Sequence, residues 1–249
     1  MDQKLTDRNF WAAFWESKED LIFNIEADYV FGKRLGELVQ ERGYQSAIEL
    51  GGFPGYYSVF LKKHLGLDVT LFDYFIHQQL IDELLAKNGL APNDIQVIEA
   101  DLFTYPAKAE FDLVSSFGLI EHFADTKDII ERHLNFLKPG GTLFITLPNF
   151  RGVNGWVQRT FDPENYSKHH IQSMNLTLLK GIAQDLGLKN IKTSYFGGYS
   201  IWLENRKKKS AAVRAFIQAI WFVGKVWNKI FPFESKALSP YIILEAQKV

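Results

Sequence analysis

The chain has no cysteine, which removes disulfides, thiolate zinc sites and cysteine nucleophiles together and fits a reducing compartment. It also lacks any uninterrupted apolar stretch of roughly 18 residues, so no transmembrane helix is expected. The first residues, MDQKLTDRNF, carry no apolar h-region, so no signal peptide is expected. Repeats and low-complexity tracts are absent. With a formal net charge of −1 and a pI near 6.6, there is no global basic field that would argue for nucleic acid. What the chain does have is 249 residues, 47% of them hydrophobic and 23% charged. That is enough for one α/β domain of ordinary size with a full core.

Short apolar runs alternate with segments of helical period, the pattern of parallel strands joined by crossover helices. The strand candidates are AIEL, VTLF, IQVIEA, FDLVSS and TLFITLP, followed after Gly187 by NIKTSYF and YIILEAQKV. Between the second and third, Leu80, Ile81, Leu84 and Leu85 fall at helical spacing, and Gly89 can close that helix. Asp125 can cap another, carrying Ile129, Ile130, His133, Leu134 and Leu137 until KPGG stops it. A further helix is expected from about Leu176 to Leu186. Residues 1–44 read as a mostly helical cap in which Phe10, Trp11, Phe14 and Trp15 stack at helical spacing. The plainer reading of that stripe is a core-packing face, preferred here over a substrate lid.

The stretch IELGGFPGYYS, Ile48 to Ser58, runs from a strand through an acid into glycines and on into a helix starting near Gly55. A strand that ends in such a turn aims backbone N–H groups and the positive end of the helix dipole into a crevice. The nicotinamide fingerprint fails on spacing, since Gly51, Gly52 and Gly55 do not make G-x-G-x-x-G, and no P-loop lysine follows. Taken alone, the turn reads equally as a ligand loop or as a junction that merely needs small residues. Asp73 closes VTLFD, where a carboxylate can accept from both ribose hydroxyls, and Asp101 follows IQVIEA, where an acid can accept from an adenine amino group. Each acid alone reads as a cap or a solvated loop residue. Together, at successive strand ends, they line the crevice where open α/β sheets bind ligands.

These pieces resemble the class I S-adenosylmethionine-dependent methyltransferases. The matching segments, in family order, are IELGGFPG (48–55), LFD (71–73), EADLF (99–103), FDLVSSFGLIEHF (111–123) and LKPGGTLFITLPN (137–149), with YIILEAQKV closing the sheet. The resemblance implies an α/β, Rossmann-like, doubly wound seven-stranded sheet. It would be mostly parallel with an antiparallel last strand, an N-terminal helical cap and a helical insertion before that strand. It also implies S-adenosyl-L-methionine as cofactor. Glu49 would orient the loop or meet the methionine amino group, Gly51, Gly52 and Gly55 would let the backbone approach, and Asp73 would hold the ribose. Asp101 and Leu102 would frame the adenine, while Ser116 and Phe117 would face the methionyl end. The departure is Phe53, which stands where the family has a glycine; a tilted aromatic lid or a shifted backbone is the expected consequence.

Methyl transfer from a sulfonium is an in-line displacement that needs alignment and, for a hydroxyl acceptor, a base. Glu121 and His122, just past the fourth strand, are candidates for chemistry, against the alternative of a helix-start pair packed on the sheet. The long segment 149–174 resembles the insertion that small-molecule members of the family place over their substrate. It supplies Asn149, Arg151, Trp156, Tyr166 and His170 as substrate-side candidates and His169 as the best-placed base, the alternative being a loop hydrogen bond. No convincing metal set is visible, so none is expected. The expected activity is methylation of an oxygen, in preference to a nitrogen, on a small molecule or glycan. The rival readings are a non-catalytic adenosine-ligand-binding or regulatory module, and an enzyme of aminopropyl-transfer type, which no motif favours.

The segment Arg206 to Lys236 carries eight basic residues against Glu234 alone, a net +7 that leaves −8 for the rest of the chain. On a helix, Arg214, Gln218, Lys225, Asn228 and Lys229 form one polar stripe. Ile217, Ile220, Val223, Val226, Trp227, Ile230 and Phe231 cover what remains. Packing within the domain is the plainest outcome, and a homodimer or an anionic membrane surface are the others. The expected location is cytoplasmic, with peripheral attachment at the inner membrane surface as the variant. The whole is expected to be one domain: cap 1–44, cofactor-binding core 45–200, basic helical insertion 204–236 and last strand 239–249.

Overall fold

The computed structural model describes residues 4–204 and 206–249, with Lys207 by its backbone alone. The first three residues of the expected cap and the Lys207 side chain of the basic run lie outside the described residues. Seven strands form one sheet in the order β3-β2-β1-β4-β5-β7-β6. They are β1 Ser46–Leu50, β2 Asp68–Asp73, β3 Ile95–Glu99, β4 Phe111–Phe117, β5 Leu137–Pro148, β6 Lys189–Phe196 and β7 Tyr241–Gln247. The first five run parallel, and β7 pairs antiparallel with both β5 and β6. Strand β1 lies between β2 and β4, so the chain order reverses beside it and a crevice opens at the carboxyl ends of β1 and β4.

The helices are α1 Arg8–Glu16, α2 Gly32–Arg42, α3 Tyr56–Leu65, α4 Gln78–Lys87, α5 Thr126–Leu134, α6 Val153–Phe161, α7 Pro163–Ser167, α8 Leu176–Asp185 and α9 Ala211–Ile230. Both faces of the sheet are covered. Leu35, Phe60 and Leu84, from α2, α3 and α4, pack on one face with Val69 and Leu113, and Ile129 and Leu179, from α5 and α8, pack on the other with Val114 and Leu143. A third, smaller cluster of Val157, Tyr199, Ile201 and Ile217 seats α9 on α6.

Most expected elements are present, and Asp125 caps α5 by accepting from the N–H groups of Lys127 and Asp128. One expectation fails and one holds only in part. Helix α5 stops at Leu134, and Leu137, expected on that helix, instead opens β5 opposite Phe111, ahead of the irregularity in the ladder. Gly140 takes φ +80 there, and a Cβ on Gly141 would meet the Asp112 carbonyl oxygen at 2.8 Å, so KPGG shapes a strand entry rather than a helix stop. The aromatic stripe of α1 meets the core only in part: Trp11 and Trp15 pack against it, but no residue of that helix is fully buried.

Candidate active site

The glycine turn is shaped by close approach. Gly51 (φ +65) and Gly55 (φ +104) adopt the left-handed region. A Cβ on Gly52 would lie 2.6 Å from the Glu49 side chain and from Leu71. Phe53 is not among the positive-φ residues; its ring is buried, edge-on to Trp15 at 5.4 Å and Phe75 at 5.5 Å. The backbone therefore does not need a glycine at 53, and the ring packs on those two aromatics while lining the cavity. Replacing it with the smaller, similarly apolar Leu should cost no more than about 1.5 kcal/mol. Denaturant unfolding of Phe53→Leu checks this, and a loss beyond twice that value would show that the ring clamps the loop.

Around this turn lies a cavity of about 360 Å³, within the range of small-molecule sites. Its floor comes from strand ends: Glu49, Gly51, Gly52, Asp73, Asp101, Leu102 and Phe117 all line it. Glu49 Oε2 accepts from both the N–H and the hydroxyl of Ser58, at 2.6 and 2.5 Å, tying β1 to the first turn of α3. Burial pushes the Glu49 carboxyl up to about 8 despite those bonds. Asp73 is fixed by the N–H groups of Phe53 (2.9 Å) and Phe75 (3.0 Å), and burial raises it to about 6. Asp101 accepts from Phe103 N and pairs with Lys4 Nζ at 2.6 Å, the ammonium lying 4.1 Å from the Tyr74 ring.

Several expected site residues face elsewhere. Ser116 is buried under the sheet, its hydroxyl 2.9 Å from His133 Nε2, and does not line the cavity. Gly55 shapes the turn without lining it. Asn149 is a structural pin: its amide donates to the carbonyls of Lys236 and Ser239 while its oxygen takes the Arg151 N–H. Arg151 is exposed, and Trp156 turns outward beside Phe161 and Phe216. Tyr166 stacks on Phe150. His170 anchors the loop through its N–H to the Glu121 carbonyl at 2.6 Å. The insertion does serve the cavity, but through Phe150, Asn165, Lys168 and His169.

The N-terminal segment forms the roof. Phe10, Trp11, Phe14 and Trp15 line the cavity, and Trp11 sits edge-on to His122 at 5.0 Å. Leu5 N donates to the His122 carbonyl, and three ion pairs hold the segment down: Lys4–Asp101, Arg8–Glu99 and Lys18–Glu204. Partly exposed pairs are each worth about 0–1 kcal/mol, and a helix with no buried residue belongs to the least stable part of a fold. These contacts hold the roof in place over the cavity. The roof's sequence signal was the stripe itself, which has the spacing of a core face yet consists only of aromatics.

Beyond Phe117, a short 3-10 turn, Ile120–His122, brings Glu121 and His122 to the cavity wall beside His169, the two imidazole rings 4.8 Å apart. His122 Nδ1 lies 3.0 Å from the Lys168 carbonyl and His169 Nδ1 lies 2.8 Å from that of Asn165. Carbonyl oxygens only accept, so each Nδ1 carries the proton and each Nε2 keeps its lone pair. Burial, with help from His169, drives His122 down to about 3, and burial lowers His169 as well. Glu121 is buried with Oε2 unpartnered, and burial raises its carboxyl to about 8. One ligand atom from each of the three lies within 4.8 Å of the others, the single such group among the described residues. A two-histidine, one-carboxylate set of this kind is also a cation-ligand set, which the sequence, with these residues nearly 50 positions apart, did not show.

Comparison with known proteins follows the same lines. Over 92 residues the chain is 30% identical to a ubiquinone biosynthesis O-methyltransferase of Idiomarina loihiensis, a match covering 37% of each chain. Among solved structures, phosphoethanolamine N-methyltransferase 2 of Haemonchus contortus, in complex with S-adenosyl-L-methionine, superposes with a TM-score of 0.59 at 19% identity. That superposition covers 88% of this chain and about half (52%) of the Haemonchus one. A SAM-dependent methyltransferase from Archaeoglobus fulgidus gives 0.52 at 16% identity, covering 87% and 94%. At these identities the superpositions show a shared Rossmann-like fold. A family model for a methyltransferase domain matches residues 26–193, more than half of the sequence, and this chain belongs to that methyltransferase-domain family.

Proposed function

We propose that the chain is an S-adenosylmethionine-dependent methyltransferase acting on an oxygen, in preference to a nitrogen, of a small molecule or glycan. The observation that carries this reading is the pair of neutral imidazoles, His122 and His169, walling a cavity whose floor holds the cofactor-side residues Asp73, Asp101 and Phe117. An acceptor hydroxyl must lose its proton as the new C–O bond forms, and a neutral imidazole is the group for that step near neutral pH. His169, on the insertion, is assigned as the base, with His122 and Glu121 beside it. Asp73 would take the ribose hydroxyls, and the turn at Gly51 and Gly52 the methionine end. The cavity's fourteen Phe, Tyr and Trp residues offer ring faces to a sulfonium cation.

The non-catalytic alternative rested on Phe53 blocking the loop. That ring packs edge-on to Trp15 and Phe75 at the cavity wall, which leaves the cavity open beside it and favours the catalytic reading. The test is thermal unfolding with S-adenosylmethionine and with nicotinamide dinucleotides, followed by labelled methyl transfer to a panel of hydroxyl and amine acceptors. A ligand at 100 times its dissociation constant adds about 2.7 kcal/mol, so a clear upward shift with S-adenosylmethionine alone is expected. A shift only with the dinucleotides, or none with either, would overturn the assignment. Label entering amines and not hydroxyls would reverse the choice of oxygen.

A further inference from the structure

Helix α9 is 20 residues long, yet Ile217 is its only buried residue. Its inward side is narrow. Val213, Ile217, Ile220 and Gly224 face the domain, the last so closely that a Cβ would meet the Tyr199 ring at 1.9 Å. Asn228, expected on the polar stripe, faces inward too and accepts from Tyr199 N at 3.1 Å. At about 3.6 residues per turn, Phe216, Phe222, Val223, Val226, Trp227 and Ile230 fall on a separate arc of roughly 140°. All six are exposed, Phe222, Val223 and Ile230 by 62%, 66% and 63%. Exposed Phe231 and Phe233 continue the surface past the helix end, and exposed Trp156 on α6 extends it on the other side through Phe216. Single exposed apolar side chains need no explanation, but a continuous surface of this size marks a docking face.

The polar residues Arg214, Gln218, Lys225 and Lys229 border one edge of that arc, and Arg206 and Lys208 precede the helix, while Lys209 there is paired with Asp162. A two-fold dimer with α9 antiparallel to its copy would set the basic borders side by side, an arrangement that costs energy. A bilayer with anionic headgroups offers the opposite charge and an apolar layer in one surface, with lysines reaching up to the phosphates and tryptophans at the boundary. No described helix is long and apolar enough to cross a membrane, so the contact is in the plane of the surface.

We propose that the outward arc of α9, with Trp156, Phe231 and Phe233, is a docking surface for an anionic lipid bilayer, on which α9 lies parallel to the membrane plane. The proposal goes beyond the catalytic reading, and its test uses no methyl transfer, so either can fail alone. The full chain is sedimented with phosphatidylcholine vesicles and with vesicles containing one third phosphatidylglycerol, at low and high salt, beside a light-scattering mass. Expected are a monomer and salt-sensitive binding to the anionic vesicles only. The pair Lys225→Ala, Lys229→Ala should bind roughly 30-fold more weakly, at about fivefold for each basic residue lost. Phe222→Glu with Ile230→Glu should abolish binding at an unchanged melting temperature, which keeps the result separate from misfolding. A doubled mass that Phe222→Glu and Ile230→Glu return to a monomer, without vesicle binding, would overturn the proposal in favour of a dimer. A monomer indifferent to both kinds of vesicle would overturn it as well.

Discussion

Asp73→Ala is expected to weaken S-adenosylmethionine binding by roughly 10- to 150-fold, the equivalent of the 1.5–3 kcal/mol that hydrogen bonds to a charged group contribute. The carboxylate stands at the end of β2 with each oxygen already taking one backbone N–H, from Phe53 and Phe75. An ionised carboxylate has about four lone-pair sites, so two hydroxyl donors can still be met, and they would meet a group that cannot swing away. Its removal has a second consequence, since two backbone donors beside the glycine turn lose their acceptor. Asp73→Asn separates the two effects because the amide oxygen can keep one N–H while the charge is gone. Calorimetric titration of both variants checks the assignment, and normal binding by Asp73→Ala would refute it. The wild type carries its own test in pH. Burial places the Asp73 carboxyl near 6, and ribose donors bind the ionised form more strongly. Affinity should therefore hold above that value and weaken below it, by no more than removal of the side chain costs. The same raised carboxyl works against folding in the opposite direction: the folded state holds its proton more tightly, so its stability contribution is present below the ordinary carboxylate range and is lost as pH rises through 6.

The floor of this site was legible because its signals are local. A glycine whose φ must be positive, an acid at the end of an apolar run and a helix opening right after the turn are each fixed within a few residues. Asp73 and Asp101 were found from such signals, Leu102 and Phe117 from the family resemblance, and all four line the cavity. The roof and walls depend on which side of an element faces which neighbour. Ser116 and Phe117 are adjacent on β4, so they point to opposite faces. The sequence gives no reason for the serine to meet His133 while Phe117 stacks on Tyr57 at 3.6 Å. The insertion misled in the same way. Asn149, Tyr166 and His170 have the composition of a binding loop, but their polar atoms and rings are spent on holding that loop in place. Lys168 and Asn165 reach the cavity, where Lys168 also lies over the Phe10 ring. The α1 stripe was ambiguous for another reason: a helix that walls an aromatic cavity and one that packs on a core have the same period, and Trp11 and Trp15 do both.

His169→Ala should leave cofactor affinity within about twofold while turnover on a hydroxyl acceptor falls by roughly 10²- to 10⁴-fold, the range that a positioned general base supplies. The geometry favours this residue over its neighbour. Both imidazoles have Nδ1 committed to a backbone carbonyl. His122, however, is buried against the Trp11 edge, and its pKa of about 3 makes it a weak base for an alcohol proton. His169 is only partly buried, lies on the insertion, and its pKa is lowered less severely. A base acts in its neutral form, so a pKa below the ordinary histidine value carries full activity to lower pH than an unperturbed imidazole would. The acid limb of kcat should then lie below about 6.5 in the wild type and be absent from the residual activity of His169→Ala. His169→Gln, which can donate and accept but cannot take a proton, should keep KM and lose kcat, whereas a residue that merely holds the loop would be rescued by it. Restored turnover in His169→Gln, or an acid limb that survives in His169→Ala, would assign the proton to His122 or Glu121 instead. Single-turnover rates across pH 5 to about 8 in the three proteins read the chemical step without interference from product release.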